Sequence, residues 1–111
     1  MTVPIFWGTV IINQGINSVI TDVRILKQAL KDLKRTPQYI QEKFSAWVIA
    51  VNKAGLEETR KRPGWHDEPL KGDRKGQRSI RLNKLWRAIY VIQDNGCIEF
   101  IEVTEVMPHE Y

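Results

Sequence analysis

Gln77-Arg78-Ser79-Ile80-Arg81-Leu82-Asn83-Lys84-Leu85-Trp86-Arg87-Ala88-Ile89-Tyr90-Val91-Ile92-Gln93-Asp94-Asn95-Gly96 decides the fold. From Gln77 to Leu82 the chain alternates, with Ile80 and Leu82 on one face of an extended segment and Ser79 and Arg81 on the other. Leu85 to Ile92 is a second strand, nearly all apolar. Asp94-Asn95-Gly96 carries a strong hairpin signal, since Asn-Gly supplies the two positive φ angles of a type I′ turn. Ile98 to Val106 then reads as the returning strand. The first hairpin has a register test built into it. A three-residue loop at Asn83, Lys84 and Leu85 sets Arg81 opposite Arg87 and Ile80 opposite Ala88. A two-residue loop at Asn83 and Lys84 sets Arg81 opposite Trp86 and separates the two arginines. A site that uses both arginines therefore requires the odd-length loop.

Upstream, Ser18 to Arg24 is a strand candidate or runs directly into the first helix, and Val23, Leu26, Leu30 and Leu33 recur at steps of three and four, with Lys27, Lys31 and Lys34 between them, which predicts one apolar helical stripe. Thr36-Pro37 restarts the chain as an N-cap and first helical residue. Ile40, Phe44, Trp47, Val48 and Val51 line one face of a second helix, and Gly55 is a good terminator. Two short-linked helices, each with one apolar stripe, make an αα-hairpin that must cover a sheet. Residues 66–71 are expected to be extended, because the residue before Pro69 is pushed away from helical dihedrals. The expected fold is α+β: two N-terminal helices packed on a twisted antiparallel sheet of about four strands. Residues 18–111 form this domain, and residues 1–17 an apolar arm or strand of unassigned role.

A chain of 111 residues holds one domain and one core. Its 42% hydrophobic and 27% charged residues argue against wholesale disorder. The net charge of +4 is unevenly spread. Residues 71–87 hold seven cations (Lys71, Arg74, Lys75, Arg78, Arg81, Lys84, Arg87) against Asp73 alone, so the rest of the chain is net negative. A localised basic patch is the footprint expected for nucleic acid or an acidic partner. Cys97 is the only cysteine, which rules out an intramolecular disulfide and suits a reducing cytoplasm. It reads as a packing residue. The apolar run at residues 1–12 precedes the first basic residue, Arg24, so it lacks the layout of a signal peptide. It is also too short to span a bilayer. The expectation is a soluble cytoplasmic protein with no membrane partner.

Glu68 is the carboxylate beside the patch. RNA can be cleaved when a base takes the proton of a 2′-OH, an acid protonates the departing 5′ oxygen, and cations offset the charge that builds on phosphorus. Glu68 is the candidate base. Arg81 and Arg87 are candidates to fork onto phosphate oxygens, and His109 can act as the acid near neutral pH. Lys71, Arg74, Lys75, Arg78 and Lys84 are candidate RNA contacts, and Tyr111 a candidate stacking group. His66 with Asp67 is too sparse for a metal site, with no His-x-x-x-His and no Cys pair, so His66 is read as a structural or RNA-contacting residue.

The run from Glu68 to Arg87, together with the terminus His109-Glu110-Tyr111, resembles the RelE/ParE superfamily of bacterial toxins, and within it the HigB-like and YoeB-like messenger-RNA interferases. Glu68-Pro69-Leu70-Lys71 is similar to the YoeB motif whose glutamate is the catalytic base, and Arg81 and Arg87 match the spacing of its phosphate-binding arginines. The resemblance covers residues from about 20 to 111 and implies two helices on an antiparallel sheet. It also implies a toxin of a type II toxin–antitoxin system that cuts messenger RNA on the ribosome without metal or other cofactor. Glu68 would be the base, Arg81 and Arg87 the phosphate stabilisers, and His109 or Tyr111 the acid or positioning group. The implied partner is a cognate antitoxin, in HigB systems often a helix-turn-helix (HigA-like) protein, in a heterocomplex or beside a toxin homodimer. HigB-type toxins usually carry histidine where this chain has Glu68, and YoeB ends in adjacent His-Tyr where this chain has His-Glu-Tyr. Two rival functions follow: ParE-like members poison DNA gyrase by binding, and a basic face could dock a partner with no catalysis.

Overall fold

The computed structural model describes residues 19–109; the arm expected at residues 1–17 lies outside them. The described chain forms β1 (Val23–Ile25), α1 (Lys27–Lys34), α2 (Gln38–Ala54), α3 (Leu56–Arg60), β2 (Glu68–Pro69), β3 (Arg78–Arg81), β4 (Trp86–Asp94) and β5 (Glu99–Pro108). The five strands make one sheet in the order β1-β5-β4-β3-β2. Every pairing is antiparallel except β1 on β5, where Val23 lies opposite Ile101 and Ile25 opposite Val103.

The helices cover one face of this sheet. Ile40, Phe44, Trp47 and Val51 of α2 are buried against Ile80, Ala88, Tyr90, Ile101, Val103 and Val106, so the predicted α2 stripe is the core. The first stripe differs from expectation. Val23 belongs to β1, and pairing there delays α1 until Lys27. Ala29 is the buried residue of α1 and Leu33 packs on the core beside it, whereas Leu26 and Leu30 are exposed. Asp32 then ties α1 to the sheet by accepting a hydrogen bond from the Val106 N–H at 2.9 Å. Thr36 does not cap α2. Its hydroxyl donates to the Leu33 carbonyl at 2.7 Å and closes α1, and Pro37 is the residue before the first turn of α2.

Gly55 ends α2 as predicted, at φ +89°. A Cβ there would lie 2.4 Å from Val19 Cγ1. The same residue opens α3, a five-residue helix absent from the sequence reading, which buries Leu56 and Thr59. Residues 66–71 are extended only in part: β2 is two residues long, and His66 is left-handed.

Between β3 and β4 the loop is the odd one. Arg81 pairs with Arg87 and Ile80 with Ala88, and the Leu82 N–H donates to the Trp86 carbonyl. Asn83 shapes the turn, its Oδ1 accepting from the N–H groups of Leu85 and Trp86 at 2.8 Å each. The β4–β5 connection is not the type I′ turn expected of Asn-Gly. Only Gly96 has positive φ, and Asp94 pairs with Glu99 across a four-residue loop. Asn95 Oδ1 accepts from the N–H groups of Cys97 and Ile98, which stabilises the longer turn. Cys97 is consequently exposed, not packed.

A β-bulge interrupts the β4–β5 pair. Ile89 lies opposite Glu105 but Tyr90 opposite Val103, which leaves Thr104 as the extra residue. Thr104 secures the bulge by donating its hydroxyl to the Ile89 carbonyl at 3.3 Å. Because of the bulge, Val103 and Val106 both reach the core although they are three residues apart in a strand.

Candidate active site on the open face of the sheet

Side chains alternate across a strand, so the residues that do not meet the helices lie on the opposite face. There Ser79 and Arg81 of β3, Arg87 and Ile89 of β4, and Met107 and Pro108 of β5 form the floor of a cavity of about 310 Å³. Glu68 of β2, Leu70, Arg74 and His109 complete its lining. Five residues singled out from sequence, Glu68, Arg74, Arg81, Arg87 and His109, therefore share one cavity. Ser79, Leu70, Ile89 and Met107 were not anticipated, although the alternation that placed Arg81 on this face places Ser79 there too.

Glu68 is positioned by its edge strand, where it lies opposite Ser79. Arg81 is only part-exposed, not the solvent-facing side chain its alternation suggested. Its Nε is buried with no hydrogen-bond partner among the described residues, and its Nη1 lies 3.5 Å from His66 Nε2. Arg87 is half-buried and fastens the β3–β4 loop, donating through Nη1 to the Asn83 carbonyl at 2.7 Å and the Trp86 carbonyl at 3.2 Å. Arg74 bridges Glu105 at 3.0 Å and Gln77 at 2.8 Å. His109 is held by its backbone, whose N–H donates to the Leu85 carbonyl at 2.5 Å. Lys71, Lys75 and Lys84 are exposed. Tyr111 lies outside the described residues.

Arg78, expected among the RNA contacts, stands elsewhere. It pairs with Tyr90, a core residue, so it belongs to the helix-facing side. There its Nε donates to Asp67 Oδ1 at 2.7 Å, and the Tyr90 hydroxyl donates to Asp67 Oδ2 at 2.5 Å. The Asp67 side chain is 1% exposed. Burial opposes charge on Arg78, but the Asp67 carboxylate outweighs it and holds the guanidinium above its ordinary value. Burial, then the hydrogen bond to Asp67 and its charge, push the Tyr90 phenol well above the usual tyrosine range. Tyr90 thus holds its proton more tightly folded than unfolded. Its contribution to stability is whole below about pH 10, the unfolded value, and is lost as pH climbs past it. Urea midpoints measured from about pH 8 to 11 should fall at the alkaline end. Tyr90→Phe should flatten that fall.

Among the described residues no group of three or more His, Cys, Asp or Glu is arranged to hold a metal ion. No helix among them is long and apolar enough to cross a membrane.

Helices on one face of a five-stranded sheet and a cation-lined cavity on the other define a small toxin of the RelE/ParE superfamily. The sequence model for the ParE toxin of type II toxin–antitoxin systems (parDE) matches residues 23–105, and the chain belongs to that family. A search of curated protein sequences found no match. Among solved structures, the YoeB/ParE toxin from Agrobacterium tumefaciens is similar, with a TM-score of 0.61 at 23% identity, over 80% of this chain and 99% of that one. YafQ from E. coli strain BL21(DE3) superimposes with a TM-score of 0.62 at 19% identity, over 79% and 92% of the two chains. The YoeB dimer from Staphylococcus aureus gives 0.58 at 19% identity, over 81% and 97%. At these identities the likeness is one of fold.

Proposed function

We propose that this toxin is a ribosome-dependent endoribonuclease that cuts messenger RNA and so stops translation. The observation that carries this reading is the shared cavity: one carboxylate, Glu68, with Arg81, Arg87 and His109 on the open face of the sheet. In the reaction, Glu68 takes the proton of a 2′-OH and that oxygen attacks the adjacent phosphorus. The 5′ oxygen leaves with a proton from His109 or Tyr111, giving a cyclic phosphate and a free 5′-OH. No water enters this step, and no metal or other cofactor is needed. Arg81 and Arg87 offset the charge on the equatorial oxygens, the kind of stabilisation that contributes most in such reactions. Lys71, Lys75 and Lys84 supply sequence-independent attraction to the RNA backbone.

The reading places the protein in the cytoplasm with a cognate antitoxin that covers the basic face. The solved YoeB–YefM complex from Staphylococcus aureus, whose toxin shares the fold at a TM-score of 0.59, supports a heterocomplex. The YoeB dimer supports a toxin pair as the other assembly. By the likeness to HigB systems the antitoxin would be of the helix-turn-helix type.

The ParE family match favours a second reading, a gyrase poison that acts by binding. Primer extension on a defined messenger RNA, with and without translating ribosomes, separates the two. Discrete cuts in codon register that appear only with ribosomes are expected. Intact RNA in both reactions, with loss of gyrase supercoiling activity, would give the case to the poison.

A further inference from the structure

His66 is the one non-glycine residue at positive φ among the described residues, with φ 47° and ψ 48°. Left-handed backbone is unfavourable for a residue with a Cβ, and the His66 side chain is exposed, so burial of the ring does not offset the strain. Strain of this kind persists where surrounding contacts enforce it, and it clusters at functional positions. Here the enforcing contacts are visible. The His66 N–H donates to the Pro63 carbonyl at 3.1 Å, and the next residue, Asp67, is locked on the far face by Arg78 and Tyr90.

The outcome is an imidazole brought against β3, with Nε2 3.5 Å from Arg81 Nη1. A guanidinium only donates, so in this contact Nε2 is the acceptor. Arg81 is thereby engaged at Nη1, while its buried Nε–H has no partner among the described residues. We propose that His66 is a positioning residue for Arg81, engaging Nη1 so that the guanidinium is held in one orientation at the cavity that would take the scissile phosphodiester. Only the kinetic part of its test rests on the cleavage reaction proposed above.

His66→Gly in the full chain removes the ring and suits the left-handed backbone. The thermal midpoint should hold or rise. In arginine side-chain Nε–H spectra, the Arg81 signal, assigned by its loss in Arg81→Lys, should exchange with solvent at least tenfold faster. Cleavage of messenger RNA on ribosomes should lose at least tenfold in kcat with KM little moved. The same change should have no further effect in an Arg81→Ala background, because a residue acting through another is not additive with it. His66→Asn, which also tolerates left-handed backbone but is too short to reach Arg81, should behave like the glycine variant. Unchanged Arg81 exchange in both variants would overturn the proposal, and so would losses that multiply in the double variant. If the wild-type chain cuts no RNA, the cleavage reading fails, and the exchange measurement still decides the role of His66.

Discussion

Glu68→Gln should lower single-turnover cleavage on ribosomes by about 10²- to 10⁴-fold, the usual contribution of a positioned general base. That loss corresponds to about 3–5 kcal/mol of transition-state stabilisation. Glutamine has the size and polarity of glutamate but cannot take the 2′-OH proton. The effect belongs in kcat, because the cations that grip RNA are untouched and KM should move little. Folding should be unaffected: Glu68 is exposed, and β2 pairs with β3 through its backbone. Induced in growing cells, the variant should no longer arrest them. Wild-type rates in Glu68→Gln would remove Glu68 from the chemistry and leave the cavity as a docking surface.

The second large effect is on stability, one residue away. Asp67→Ala removes the shared acceptor of Arg78 and Tyr90 and leaves a guanidinium and a phenol without it on the helix side of the sheet. Breaking a buried charge pair costs about 3–5 kcal/mol. The Arg78 side chain is 23% exposed and water can reach it, so the lower end is expected. For a domain of this size a loss of about 3 kcal/mol lowers the thermal midpoint by on the order of 10–20 °C. Asp67→Asn keeps an acceptor for one partner and should fall between. A calorimetric midpoint for Asp67→Ala within a degree or two of wild type would show that the triad contributes no net stability. The neighbouring pair thus divides its labour by strand parity: Asp67 secures the sheet to the core, and Glu68 faces the cavity.

Much of this was legible in the residues. The α2 stripe from Ile40 to Val51 gave the core because a helix that buries one face must repeat at 3.6 residues. The alternation of Ile80 and Leu82 with Ser79 and Arg81, joined to an odd loop, gave the Arg81–Arg87 pairing because register follows from loop length. What stayed hidden depended on distant partners. Ser18 to Arg24 reads equally as a strand or as a lead into the first helix, and what the residues do not announce is that only Val23–Ile25 pair, in parallel, because β5 offers an edge. Asn95-Gly96 carries the chemistry of a two-residue turn, yet its Asn side chain accepts two backbone N–H groups and the loop widens to four. Arg78 sits in a run of cations and looked like one more RNA contact. Its partner Asp67 is eleven residues away and takes it to the other face. The left-handed turn at His66 left no trace in composition, since Gly or Asn is the usual mark of that conformation.

Thr104 gives β5 a change of phase. On the Glu99 side of the bulge the odd-numbered residues Ile101 and Val103 point to the helices, and beyond it the even-numbered Val106 does, while Glu105 and Met107 turn outward. One continuous strand is therefore read in two frames, each with an inward side, and the shift carries Glu105 and Met107 to the open face. The extra residue thus lets Val103 and Val106 reach the same core while Glu105 and Met107, between and beyond them, stay on the side of the cavity.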